Sequence, residues 1–173
     1  MNEFLEILKI LIPAAAVFAA TFFIVKTFLA NEQKRRDYEL RKSQLSMTTP
    51  VRLQAYERIV IFLERIEPTN LVLRVIKTGM NTPQLHSELL KAVKSEYEHN
   101  ISQQIYVSAG AWQLIKTAKE ETLKLINISV SKVSDNSKSQ DLAQVILQIA
   151  SSVEKTPTQI AIEFLKKEAA QHF

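Results

Sequence analysis

The sequence predicts an all-α protein: a single N-terminal transmembrane helix followed by a cytoplasmic antiparallel helical bundle of about five or six helices. Three observations carry this prediction. Residues 10–25 contain no charged side chain, which marks a candidate membrane span. From residue 49 onward apolar residues recur at spacings of three and four, the period of helices with one buried face. Only 2 glycines occur in 173 residues, too few for a β-sandwich built on tight turns. The expected divisions are an anchor over 1–30, a charged stalk helix over 31–48 and a helical bundle over 49–173.

The anchor is the most distinctive element. Of the 8 phenylalanines, Phe4, Phe18, Phe22, Phe23 and Phe28 fall in the first 28 residues. The run from Ile10 to Val25 would span about 24 Å as a helix, at roughly 1.5 Å per residue. Lys9 and Lys26 bracket it and can reach outward to headgroups, so Ile7, Leu8, Phe28 and Leu29 lengthen the usable span. Membrane contact is expected through residues 10–29. A cleaved signal peptide would open on basic residues and close on small ones. Here Glu3 and Glu6 precede the run, and Phe28-Leu29-Ala30 follows it. An interfacial amphipathic helix would need a polar face, which this run lacks. The cluster Lys34, Arg35, Arg36, Arg41 and Lys42 lies after the span. Basic residues favour the cytoplasmic side, so the N-terminus is expected outside and the C-terminal domain in the cytoplasm, which in a bacterium means the inner membrane. Ala15/Ala19 and Ala16/Ala20 form two small-xxx-small pairs, a candidate face for homodimerisation in the membrane.

Residues 31–47 carry Tyr38, Leu40, Leu45 and Met47 as their large apolar side chains, so a helix there would be solvated. Thr48-Thr49-Pro50 reads as a helix start, with a hydroxyl cap before a first-turn proline. Leu53, Tyr56, Val60 and Leu63 then recur at helical spacing, widened by Ile59 and Ile66. Pro68 interrupts the pattern. A short helix follows through Leu71, Val72, Val75 and Ile76, with Gly79 placed to stop it. Thr82-Pro83 repeats the start signal ahead of Leu85, Leu89, Val93 and Tyr97. Asn100 to Ser108 either remains helical or forms an irregular joint. Trp112, Ile115, Ala118, Thr122, Leu125/Ile126 and Val133 trace a long helix, and Asp135 to Gln140 form a polar loop. Leu142, Val145/Ile146, Ile149 and Val153 mark the next helix. Thr156-Pro157 opens the last, with Ile160, Ala161, Phe164 and Leu165 facing inward. Leu63, Val93, Ile126 and Ile149, each in mid-stripe, are expected in the core.

The chemistry is sparse. Cysteine is absent, which excludes disulfides, thiolate metal sites and cysteine nucleophiles. Two glycines cannot build glycine-rich phosphate loops. Glu96 and His99 stand at the i, i+3 spacing of carboxylate-bridged metal sites, but no second Glu-x-x-His supplies the facing half. No metal and no cofactor is expected. No Ser/His/Asp order with a nucleophile turn appears, so no catalytic residue is expected. The net charge of +4 is spread thinly, with acidic and basic residues interleaved as in Glu57-Arg58 and Glu64-Arg65. That pattern describes solvated helix faces, and nucleic acid is not an expected partner. The densest polar stretch runs from Glu98 to Ser108. Such amides serve a structural joint, a partner surface or a ligand site. His99, Asn100, Gln103, Gln104, Tyr106 and Trp112 are the candidate partner surface.

The strings Arg52-Leu53-Gln54-Ala55-Tyr56-Glu57-Arg58, Phe62-Leu63-Glu64-Arg65-Ile66 and Glu98-His99-Asn100 through Gln103-Gln104-Ile105-Tyr106-Val107-Ser108 follow the apolar span. Together they resemble an uncharacterised family of small single-pass membrane proteins from Bacteroidota. The resemblance covers most of the chain up to the Trp112 helix. It implies a bacterial membrane location and brings no activity and no catalytic residues.

The functional expectation is a membrane-tethered helical interaction or scaffold module without catalytic activity, working through another protein. The alternative is a bundle that binds a lipid or small apolar ligand at the membrane surface. An apolar pocket with few polar groups would favour the ligand, and a filled core with an exposed apolar patch would favour the protein partner.

Overall fold

A computed structural model describes residues 2–134 and 137–172. The elements in chain order are α1 (Asn2–Ile66), α2 (Pro68–Val75), α3 (Thr82–Asn100), a 3₁₀ turn (Ile101–Ile105), α4 (Ala109–Val130), α5 (Ser139–Ser151) and α6 (Pro157–His172). The described residues contain no strand, only an isolated bridge between Asn81 and Lys138. The chain divides into two compact units, Met1–Thr48 and Thr49–Phe173. The class is therefore all-α, with an N-terminal helix of membrane length and a helical bundle.

The first unit holds the N-terminal part of α1, whose last turns belong to the second. By length and composition its segment Leu11–Leu40 can cross a membrane. Phe18, Phe22, Phe23 and Phe28 are between 55% and 74% exposed. The chain itself does not bury these rings, unlike the core helices of the bundle. Further along, Arg36 pairs with Glu32 at 3.4 Å and Arg35 with Glu39 at 3.1 Å, each across one helical turn. Exposed pairs of this kind add about 0.2–0.5 kcal/mol each to a helix that has no apolar stripe to bury.

No helix starts at Thr48-Thr49-Pro50, because α1 runs through all three residues. An interior proline lacks one backbone donor and crowds the preceding turn, at a cost of about 3 kcal/mol. Strong helix formers on both sides, from Glu39-Leu40-Arg41-Lys42 to Arg52-Leu53-Gln54-Ala55, offset that cost.

The second unit closes around one core. Ile59, Phe62, Leu63 and Ile66 of α1 are buried with Leu71 of α2, and with Leu85, Leu89 and Val93 of α3. Ile115 and Ile126 of α4, Leu142 and Ile146 of α5 and Leu165 of α6 complete the cluster. Burial of each such side chain contributes about 1.5–3 kcal/mol. Among the described residues every buried side-chain polar atom has a hydrogen-bond partner. α4 packs against α3, α5 and α6, and α5 also rests on α2 and α3.

Several stripes are rotated from their expected faces. Leu53 is exposed and Val60 half-buried, while Phe62 points inward. Ile160 and Phe164 lie outside and Ile162 inside. Ile149 is half-buried, and Val153 falls beyond the end of α5. Gly79 does not stop α2, because the extended backbone of Ile76 (φ −63°, ψ 134°) has already done so. Gly79 takes φ +86° in the turn that follows, a conformation strained for any other residue. Of the expected polar loop, Asp135 and Asn136 lie outside the described residues.

Candidate functional site

The stretch after Asn100 is a joint. α3 ends there, one 3₁₀ turn follows, and Ser108 caps α4 by accepting the Ala111 N–H on its hydroxyl at 3.1 Å. The amides serve the fold: buried Asn100 donates to the Glu96 carbonyl at 2.8 Å, and buried Gln103 donates to Ser102 Oγ at 3.2 Å. His99 Nδ1 donates to the Ser95 carbonyl at 2.6 Å while the ring stays exposed. Gln104 is exposed and Tyr106 half-buried. Trp112 is half-buried and stacks on Tyr97, ring centres 5.9 Å apart, with the Lys119 ammonium 4.4 Å above the Tyr97 ring. Of the six candidate surface residues, Asn100 and Gln103 thus turn inward, and only His99 and Gln104 are freely presented.

Glu96 is engaged elsewhere than with His99. It accepts from Arg65 Nε at 2.6 Å and lies 3.6 Å from Arg74, tying α3 to α1 and α2. His86 is held by Asn127 at 2.8 Å. The His172 side chain is outside the described ones. Among the described residues no three His, Asp or Glu side chains are grouped to hold a metal. Ala15, Ala16, Ala19 and Ala20 are exposed on the first unit.

Sequence reasoning passed over a buried carboxylate. Glu168 of α6 is 8% exposed. It accepts the Tyr56 hydroxyl at 2.6 Å, the Ser108 N–H at 3.0 Å and the Ser108 hydroxyl, so it joins α1, the start of α4 and α6. Burial, then the Glu168 hydrogen bond and charge, push the Tyr56 phenol up to about 12, with Arg52 acting in the opposite sense. The phenol therefore stays a donor at neutral pH. Through these hydrogen bonds the carboxylate ties three helices together.

A second feature is apolar. Pro68, Leu125, Ile128, Ile149, Val153 and Pro157, with the ion pair of Glu121 and Lys124 and three threonines, line a groove of about 290 Å³ between α4, the end of α5 and the start of α6. It falls just below the roughly 300–1,000 Å³ of sites for drug-sized molecules. Its three threonine hydroxyls each make a hydrogen bond within the chain. The Thr122 hydroxyl donates to the Ala118 carbonyl at 2.9 Å, and the Thr156 and Thr158 hydroxyls bond each other at 2.8 Å. Ile128 and Val153 stand at its rim, 42% and 48% exposed. The signal for this groove in the sequence was Ile128, an apolar residue off the expected stripe of its helix, whereas Val153 was expected on the α5 stripe.

These features define a class of protein, a helical bundle with an apolar surface groove whose chain also carries a helix of membrane length. More particularly, the chain belongs to a family of unknown function, DUF7935, which it matches over residues 2–172. No curated protein and no solved structure matches the chain.

Proposed function

We propose that the protein is a membrane-tethered interaction module of the bacterial inner membrane, in a member of the Bacteroidota, and that it works by binding rather than catalysis. The carrying observation is the groove: a well-satisfied, filled core beside an open apolar surface that the chain itself does not cover. The exposed phenylalanines of α1 supply the tether. In this reading the N-terminus faces outward, and residues 49–173 hold a partner protein near the cytoplasmic face.

Two measurements test it. Reporter fusions at Phe173 should be active as cytoplasmic reporters and silent as periplasmic ones, and the reverse pattern removes the cytoplasmic assignment. Affinity purification of the full chain from detergent-solubilised native membranes should retain a protein that an Ile128→Asp variant loses. Retention of lipid alone would favour the alternative, a bundle that binds a lipid or small apolar ligand, which the apolar lining also suits. The Ala15/Ala19 and Ala16/Ala20 face is the proposed route to a homodimer. Ala16→Leu with Ala20→Leu should weaken association in a membrane two-hybrid assay, and an unchanged signal removes that interface.

A further inference from the structure

We draw no further inference here: the strongest candidate, the surface groove between α4, the end of α5 and the start of α6, is lined by the Glu121–Lys124 pair as well as by apolar residues, and nothing in the structure shows what covers it.

Discussion

Glu168 shows how one side chain can decide the face of a whole helix. Read as a solvated carboxylate, it leaves Ile160 and Phe164 free to define the inner stripe of α6. In the fold the inner stripe is Thr158, Ala161, Ile162, Leu165 and Glu168, so the helix is turned from the expected face. Composition cannot reveal that turn, because the hydrogen bonds that justify burying Glu168 come from Tyr56 and Ser108, far away in the chain. Removing a hydrogen bond to a charged group costs about 1.5–3 kcal/mol, the expected loss for Tyr56→Phe in denaturant unfolding at pH 7. Glu168→Ala should cost at least as much, because the buried Tyr56 hydroxyl then loses its acceptor. The same pair predicts an alkaline effect. Tyr56 ionises near pH 10 unfolded and about 12 folded, so its contribution is complete below pH 10 and is lost as pH rises to 12. The loss on reaching pH 12 is on the order of 1–3 kcal/mol. Unfolding free energies from pH 8 to 12 should fall more steeply in the wild type than in Tyr56→Phe; parallel curves would contradict the buried phenol.

At the scale of the element, the Thr-Pro pairs at Thr49, Thr82 and Thr156 look alike in sequence and do three different things. Thr156 opens α6, with Gln159 answering its N–H at 3.0 Å, as the hydroxyl-then-proline pattern predicts. At Thr82 the cap is the preceding Asn81, in a reciprocal box with Gln84, and the Thr82 hydroxyl instead holds the Ser137 carbonyl at 2.7 Å. At Thr49 no helix begins. The local pattern states that a proline is tolerated, while the neighbouring residues and tertiary contacts decide why. Asn81→Ala should therefore cost about 0.5–2 kcal/mol, measured by denaturant unfolding, whereas Thr82→Val should act by freeing the α4–α5 loop. The helices themselves were legible wherever apolar residues were spaced apart. They blurred where five run together from Ile59 to Leu63, since a continuous run names no face. α5 gives the sharpest contrast. Ile146 is wholly buried and should cost about 2–5 kcal/mol on truncation to Ala. Ile149, expected in the core, lines the groove instead, so Ile149→Ala should lower the melting temperature much less and weaken partner capture more. Equal melting losses for the two would place Ile149 in the core after all.

For the whole molecule the physical question is whether residues 49–173 stand alone. Their apolar stripes face one another, their buried polar atoms are paired, and their core draws on all six helices. The N-terminal part of α1 has the opposite character: Phe18, Phe22, Phe23 and Phe28 are exposed. Membrane length was readable in the sequence because it is a property of one continuous run. The groove was not, because it forms where α4, α5 and α6 meet. The fragment 49–173 is expected to give a strongly helical circular dichroism spectrum and one cooperative melt. Leu63→Ala and Ile126→Ala, both at wholly buried positions, should each remove about 2–5 kcal/mol. That is a large share of a domain stability of roughly 5–15 kcal/mol, so each variant should melt well below the wild-type fragment. In the full chain Lys34→Ala with Arg35→Ala should leave the melt unchanged, since exposed pairs such as Arg35–Glu39 contribute little. A broad, non-cooperative melt of the wild-type fragment would mean that the bundle draws its order from the anchor, the bilayer or a bound partner. The core described for residues 49–173 would then be insufficient by itself, and the module would be one half of a complex rather than a free-standing domain.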